Sequence, residues 1–277
     1  YRASLFIYSA IPFVAIFGLN EWGVRLSAVF FGVFGVLGIY LLTKRLFNEK
    51  IALFAAIFLS ISPWHIQYSR AAFEVTMLLA TILFASYLFL KGLENKWFLF
   101  LAIFLFALTP YIYSTAVVFM PLLLVLLVLL NGVHLKRNLS ILILAALVFL
   151  ITIFPYFLQT VSGRAGERFS EVSVFTNNDL KDKAILAQQQ EQLPFQMERV
   201  FHGKPIIWGR EISLNYIRAF SPEFLFLTGD PNPGHSIHEM GEMYLFEVAL
   251  LLAGIWILVK KELRYKWLIL GWLFIAP

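Results

Sequence analysis

The chain reads as an all-α, polytopic transmembrane helical bundle with one large extracytoplasmic loop segment. Three observations predict this. The 277 residues are 60% hydrophobic, with a mean hydropathy of +0.78, and only 14% are charged. A soluble domain has about 25% charged residues. The apolar residues fall in long runs rather than in alternation. The lysines and arginines collect in every second link between those runs.

The runs are 3–19, 24–43, 51–67, 71–90, 97–113, 115–131, 139–160, 243–259 and 267–277. A spanning helix needs about 20 apolar residues. The first run carries Pro12, Ser4, Tyr8 and Ser9, so it reads equally as a span or as an oblique surface helix. The links holding Lys44, Arg45 and Lys50, then Lys91 and Lys96, then Lys136 and Arg137, then Lys260, Lys261, Arg264 and Lys266 are rich in positive charge. By the positive-inside rule these face the cytoplasm. The junctions 62–74 and 109–114 and the segment 161–242 then face outward. Three regions follow: a bundle over 1–160, an outer loop region over 161–242 and further spans over 243–277.

Within the loop region the pattern predicts a helix from Asp179 to Gln192 capped by Asn178, and a second from Arg210 to Phe220. Pro222, Pro231 and Pro233 then break the chain. The chain begins at Tyr1 and ends at Pro277 inside an apolar run, and reads as an internal fragment of a longer protein. Cysteine is absent, which excludes thiolate and disulfide chemistry. The net charge of +5 is spread over short links and does not call for a nucleic-acid partner. No P-loop, dinucleotide glycine fingerprint or nucleophile elbow is present.

The stretch Ser62 to Glu74, S-P-W-H-I-Q-Y-S-R-A-A-F-E, concentrates polar groups between two apolar runs. Arginine in a bilayer is expensive and handles function where it persists. Arg70 is the candidate for a phosphate, because its planar fork fits phosphate oxygens. Tyr68 to Arg70 are expected to open the fourth helix, with Arg70 and Glu74 sharing a face at i,i+4. The competing reading is an interfacial aromatic belt with a snorkelling arginine. Arg25, beside Trp22, fits either a snorkelling role or a lipid phosphate. Tyr111 and Tyr113 mark an outer helix end, explained by an aromatic belt or by sugar contact.

The stretch from Leu227 to Glu242 offers Asp230, His235, His238, Glu239 and Glu242 as acid/base groups or ligands. His235 and His238 are spaced i,i+3, which matches no strong metal motif. No metal ligand is assigned, although room is left for a divalent metal.

With these residues laid out, the chain resembles the GT-C superfamily of integral-membrane glycosyltransferases, near bacterial relatives of protein O-mannosyltransferases and lipid A aminoarabinose transferases. Phe17-Gly18 through Arg25-Leu26-Ser27-Ala28 looks like that family's entry to a membrane helix. Ser62-Pro63-Trp64-His65 with Tyr68-Ser69-Arg70 and Glu74 looks like its "SPW…SR…E" segment. Ser221-Pro222-Glu223 with Gly229-Asp230, His235 and Gly241 looks like a later outer loop.

The resemblance implies inverting transfer of a sugar from a polyprenyl-phosphate donor to a lipid, glycan or protein acceptor at the outer face of the plasma membrane. It implies a general base in an acidic loop upstream of Tyr1. Arg70, Arg25, Tyr68, Glu74, Tyr111, Asp230 and His235 are the expected substrate-binding residues. The competing class is a transporter or flippase for a lipid-linked or small polar substrate, which favours inverted repeats; none is evident.

Overall fold

The computed structural model describes residues 4–135, 139–161, 204–232, 234–236, 240–261 and 263–276. The expected helix over 179–192 lies outside the described residues, as do His238 and Glu239. The described residues form helices α1 (Ser4–Phe17), α2 (Glu21–Leu46), α3 (Glu49–Ile61), α4 (Pro63–Arg70), α5 (Val75–Gly92), α6 (Lys96–Ile112), α7 (Ala116–Leu135), α8 (Leu139–Val161), α9 (Lys204–Ala219), α10 (Glu247–Lys260) and α11 (Lys266–Ile275). A π-helical turn, Glu223–Leu227, joins them. No strand is present among the described residues.

Each apolar run becomes helix, and the helix predicted over 210–220 lies within α9. Two corrections concern the centre of the chain. The third run is not continuous: it breaks at Ser62, and α3 and α4 meet at a bend of 57°. Helix α5 opens at Val75, so Tyr68, Ser69 and Arg70 close α4 rather than opening the next helix. Arg70 and Glu74 therefore do not share one helical face. The physical cause is Pro63, which lacks an N–H and fits the first turn of a new helix better than the interior of an old one.

Helices α2 and α5 are each long and apolar enough to cross a membrane, and α3 with α4 makes a third if the bent pair is one span. Exposed side chains such as Leu129 (75%) and Ile151 (71%) are apolar, as lipid-facing surface should be. Asparagines set the helix starts. Asn20, Asn48 and Asn95 accept from the backbone N–H groups of Gly23, Ile51 and Trp97, satisfying donors that the first turn leaves open.

The core lies between α2, α5, α6 and α7, around Leu42, Leu83, Phe89, Leu90, Leu99, Phe106 and Leu123. Gly35 and Gly38 let α2 approach Leu79 and Leu83 of α5. At the basic end, Arg45 pairs with Glu94, fastening the α2–α3 link to the α5–α6 link. Elsewhere Ala71 and Ala72, after α4, adjoin the α1–α2 turn, and Ser62 and Gln67 bond to Glu242 and Gly234.

The tightest approach in the α5–α6 hairpin is at Gly92, where a Cβ would stand 2.6 Å from the Leu99 nitrogen and 2.7 Å from its Cα. Backbone cannot yield as a flexible side chain does. Gly92→Val should destabilise the bundle by about 1–3 kcal/mol, read as a lower Tm in detergent. An unchanged Tm would mean the hairpin is looser than described.

Candidate functional site

Helix α4 is eight residues long and divides the site in two. His65, Ile66, Ser69 and Arg70, at i, i+1, i+4 and i+5, face α2. Trp64, Gln67 and Tyr68 face the segment 224–243. This is the 3.6-residue period of one helix with two polar partners.

On the first face, α4 and α2 enclose a groove of about 590 Å³. Glu21, Trp22, Arg25, Leu26, Val29, Gly32, Val33 and Val36 line it from α2, and His65, Ile66, Ser69 and Arg70 from α4. Arg25 lies one turn into α2, and the start of that helix is fixed by Asn20, which accepts from Gly23 N (3.0 Å) and donates to Phe17 O (2.7 Å). Gly18, at φ +82°, supplies the left-handed turn before it. Arg70 is placed by the end of α4, where Ala72 holds φ 60° and turns the chain toward α5. A non-glycine residue there is strained. A second hollow of about 360 Å³, lined by Leu19, Asn20, Val24, Arg25, Ala71 and Ala72, adjoins the same arginine.

The groove has two chemistries. Arg25 and Arg70 line it together with the polar Glu21, Ser60, His65 and Ser69, and Val29, Val33, Val36 and Ile66 form apolar wall. The Arg25–Glu21 ion pair (3.4 Å) joins side chains 51% and 80% exposed, so it binds the guanidinium weakly. Arg70 donates from Nη2 to Gln67 Oε1 at 2.9 Å. Deeper, Ser69 Oγ is buried without a hydrogen-bond partner, and Ser69 and His65 pack against the bare backbone of Gly32 and Gly35.

On the second face, residues 224–232, 234–236 and 240–243 lie against α4. Ser62 Oγ donates to Glu242 O (3.4 Å) and Gln67 Nε2 to Gly234 O (3.4 Å). These residues close on themselves because Gly241 lies directly against the Phe226 backbone, where any Cβ would collide. Asp230 is held from three sides: its N–H donates to Glu242 Oε1 (2.9 Å), its carbonyl accepts from Ser236 Oγ (2.6 Å), and Oδ1 accepts from Asn232 N (2.8 Å). Its Oδ2 lies 3.1 Å from His235 Nδ1. The His235 ring packs on Tyr68 (5.8 Å between centroids) and edge-on to Phe73 (5.3 Å). Burial pushes the Glu242 carboxyl above its usual range, partly offset by the Asp230 N–H. No group of three or more His, Asp or Glu arranged to hold a metal occurs among the described residues.

The structure thus brings Arg25 and Arg70 to one groove, and Tyr68, Asp230 and His235 to one cluster behind it. Glu74 is the residue before α5. Tyr111 serves α8: Pro155 interrupts that helix, and the Tyr111 hydroxyl donates to Thr152 O (2.7 Å) and accepts from Tyr156 N (3.1 Å). It bridges the ladder hydrogen bond opened at the proline. Sequence reasoning passed over Gln67, which touches both Arg70 and Gly234. Treating 63–70 as one helix with two polar faces would have singled it out.

The family model for dolichyl-phosphate-mannose-protein mannosyltransferase matches residues 4–158. The matched region contains α2, α4 and the groove between them. No curated protein and no solved structure matches the chain.

Two outcomes follow from this geometry. Tyr111→Phe leaves the Tyr156 N–H and the Thr152 carbonyl without their bridge and should cost about 1–3 kcal/mol of stability, seen as a lower Tm with ligand affinity unchanged. A loss of affinity at unchanged Tm would place Tyr111 in the binding site instead. Glu242 holds its proton more tightly in the folded state than its ordinary 4.5. Its stabilising contribution is therefore full below that value and lost as pH rises through the folded pKa. Glu242→Gln keeps an acceptor for Asp230 N and removes this dependence. The Tm of the native protein relative to the variant should rise as pH falls from 7 toward 4.5; a flat difference would contradict the burial of that carboxyl.

Proposed function

The chain belongs to the dolichyl-phosphate-mannose-protein mannosyltransferase family and is a membrane glycosyltransferase of the GT-C type, and from that premise we propose that the α2–α4 groove holds a polyprenyl-phosphate sugar donor. The observation that carries the reading is that Arg25 and Arg70 both line one largely apolar groove. Its volume suits a lipid head and the first part of its chain, since ligand pockets run to about 300–1,000 Å³.

In this reading the phosphate lies between the two guanidinium groups, and the isoprenoid follows Val29, Val33, Val36 and Ile66 into lipid. The sugar projects past the end of α4. The acceptor, a lipid, glycan or protein hydroxyl, approaches from the side of Tyr68, Asp230 and His235. The acceptor oxygen attacks the anomeric carbon with inversion and gives up its proton to a base. The bond from that carbon to the phosphate oxygen breaks, and the polyprenyl phosphate leaves with the bonding pair.

Negative charge grows on the phosphate as it departs. Fixed guanidinium groups in a largely apolar site stabilise that charge more than the bound donor, which is what accelerates the step. In this reading the basic links face the cytoplasm by the positive-inside rule, and the polar cluster faces outward.

The test uses the full-length protein in membranes, with polyprenyl-phosphate mannose as donor. Arg70→Ala should reduce transfer by about 10²-fold or more, the scale seen when one preorganised charge-stabilising donor is lost, with normal membrane insertion. Arg25→Ala should weaken donor binding with a smaller effect on turnover, because its guanidinium is already shared with Glu21. Transfer at the native rate by Arg70→Ala would refute the phosphate role.

A further inference from the structure

Gln67 is 8% exposed, and both ends of its amide are used. Oε1 accepts from Arg70 Nη2 at 2.9 Å, and Nε2 donates to the Gly234 carbonyl at 3.4 Å. The residue after Gly234 is His235, whose ring packs on Tyr68 and Phe73 and whose Nδ1 meets Asp230. One buried side chain therefore stands between the guanidinium on the groove and the loop behind α4. An exposed arginine at the end of a short helix has many rotamers, and fixing it before a ligand arrives removes an entropy cost from binding.

We propose that Gln67 is a positioning residue: it presets the Arg70 fork toward a phosphate in the groove and ties that setting to the 230–236 loop. The inference rests on the phosphate role of Arg70. It adds that a change in the loop at Gly234 reaches the phosphate site through one amide. A group bound against His235 and Asp230 then changes the affinity of the groove for a phospholipid, and by linkage the reverse holds.

The test is direct binding, so it needs no acceptor. A C55 polyprenyl monophosphate is titrated into the full-length protein in detergent, and the Kd is measured for the native protein, Gln67→Leu, Arg70→Ala and the double variant. Leucine keeps the bulk of the side chain and removes both hydrogen bonds; Gln67→Met repeats the test if Gln67→Leu does not fold. Gln67→Leu should weaken binding about 5–10-fold, the scale of one ordinary net hydrogen bond. The same change in the Arg70→Ala background should cost nothing further, because the amide acts through the guanidinium.

Native affinity in Gln67→Leu, with Arg70→Ala impaired, would overturn the inference and leave the phosphate role standing. An equal loss in both backgrounds would make Gln67 a general structural residue and also overturn it. Native affinity in Arg70→Ala would overturn the phosphate role and this inference with it.

Discussion

The break between Ser62 and Pro63 is the constraint on which the rest of the site depends. A chain that continued straight from α3 would carry Arg70 about 12 Å beyond the end of that helix along the same axis, at 1.5 Å per residue over eight residues. Instead proline starts a new helix at 57° to the first. The turn lays eight mostly polar residues across one end of the bundle. It gives α4 two usable faces, one against α2 and one against the segment 224–243. Arg70 and Tyr68 take their places from that bend, the one beside Arg25 on the groove and the other against His235.

The two faces are built differently. The groove face is held by small residues: Gly32 and Gly35 bring α2 so near that Ser69 and His65 sit on bare backbone. The loop face is held by hydrogen bonds from α4 to the carbonyls of Glu242 and Gly234. Apolar contact does little to hold helices together in lipid, where the surroundings are equally apolar, and close packing with polar links does more. The arrangement leaves the guanidinium groups beside an apolar wall, an unfavourable place for cations alone. The proposed phosphate anion between them would remove that disadvantage, and an isoprenoid chain would match the wall. The family match over residues 4–158, which contains the groove, gives this geometry its chemical context.

Much of the bundle was legible in the sequence because lipid imposes one simple rule, a long apolar run for each helix. Asn20, Asn48 and Asn95 mark starts that the runs alone left vague. The 62–74 stretch announced itself by its polar density, and Arg25 and Arg70 were chosen from residue type and position. The course of the chain there was not legible. Proline signals a break but not its angle, and reading Arg70 and Glu74 as one face assumed a helix running on through Glu74, whereas α4 ends at Arg70. Tyr111 was chosen for its place at a helix end, yet its hydroxyl repairs the kink at Pro155, a contact 41 residues away in sequence. Gln67 drew no attention because its role exists only once Gly234 is folded onto α4.

The central claim is that a polyprenyl phosphate lies in the α2–α4 groove with its phosphate between Arg25 and Arg70. The most direct measurement is photo-crosslinking with a polyprenyl phosphate carrying a diazirine in its first isoprene units, followed by peptide mapping of the full-length protein. The account predicts adducts on Val29, Val33, Val36 and Ile66, competed away by unlabelled polyprenyl phosphate but not by the uncharged polyprenol. Adducts concentrated on the exposed lipid-facing surfaces of α7 and α8, with no competition by the phosphate, would contradict it.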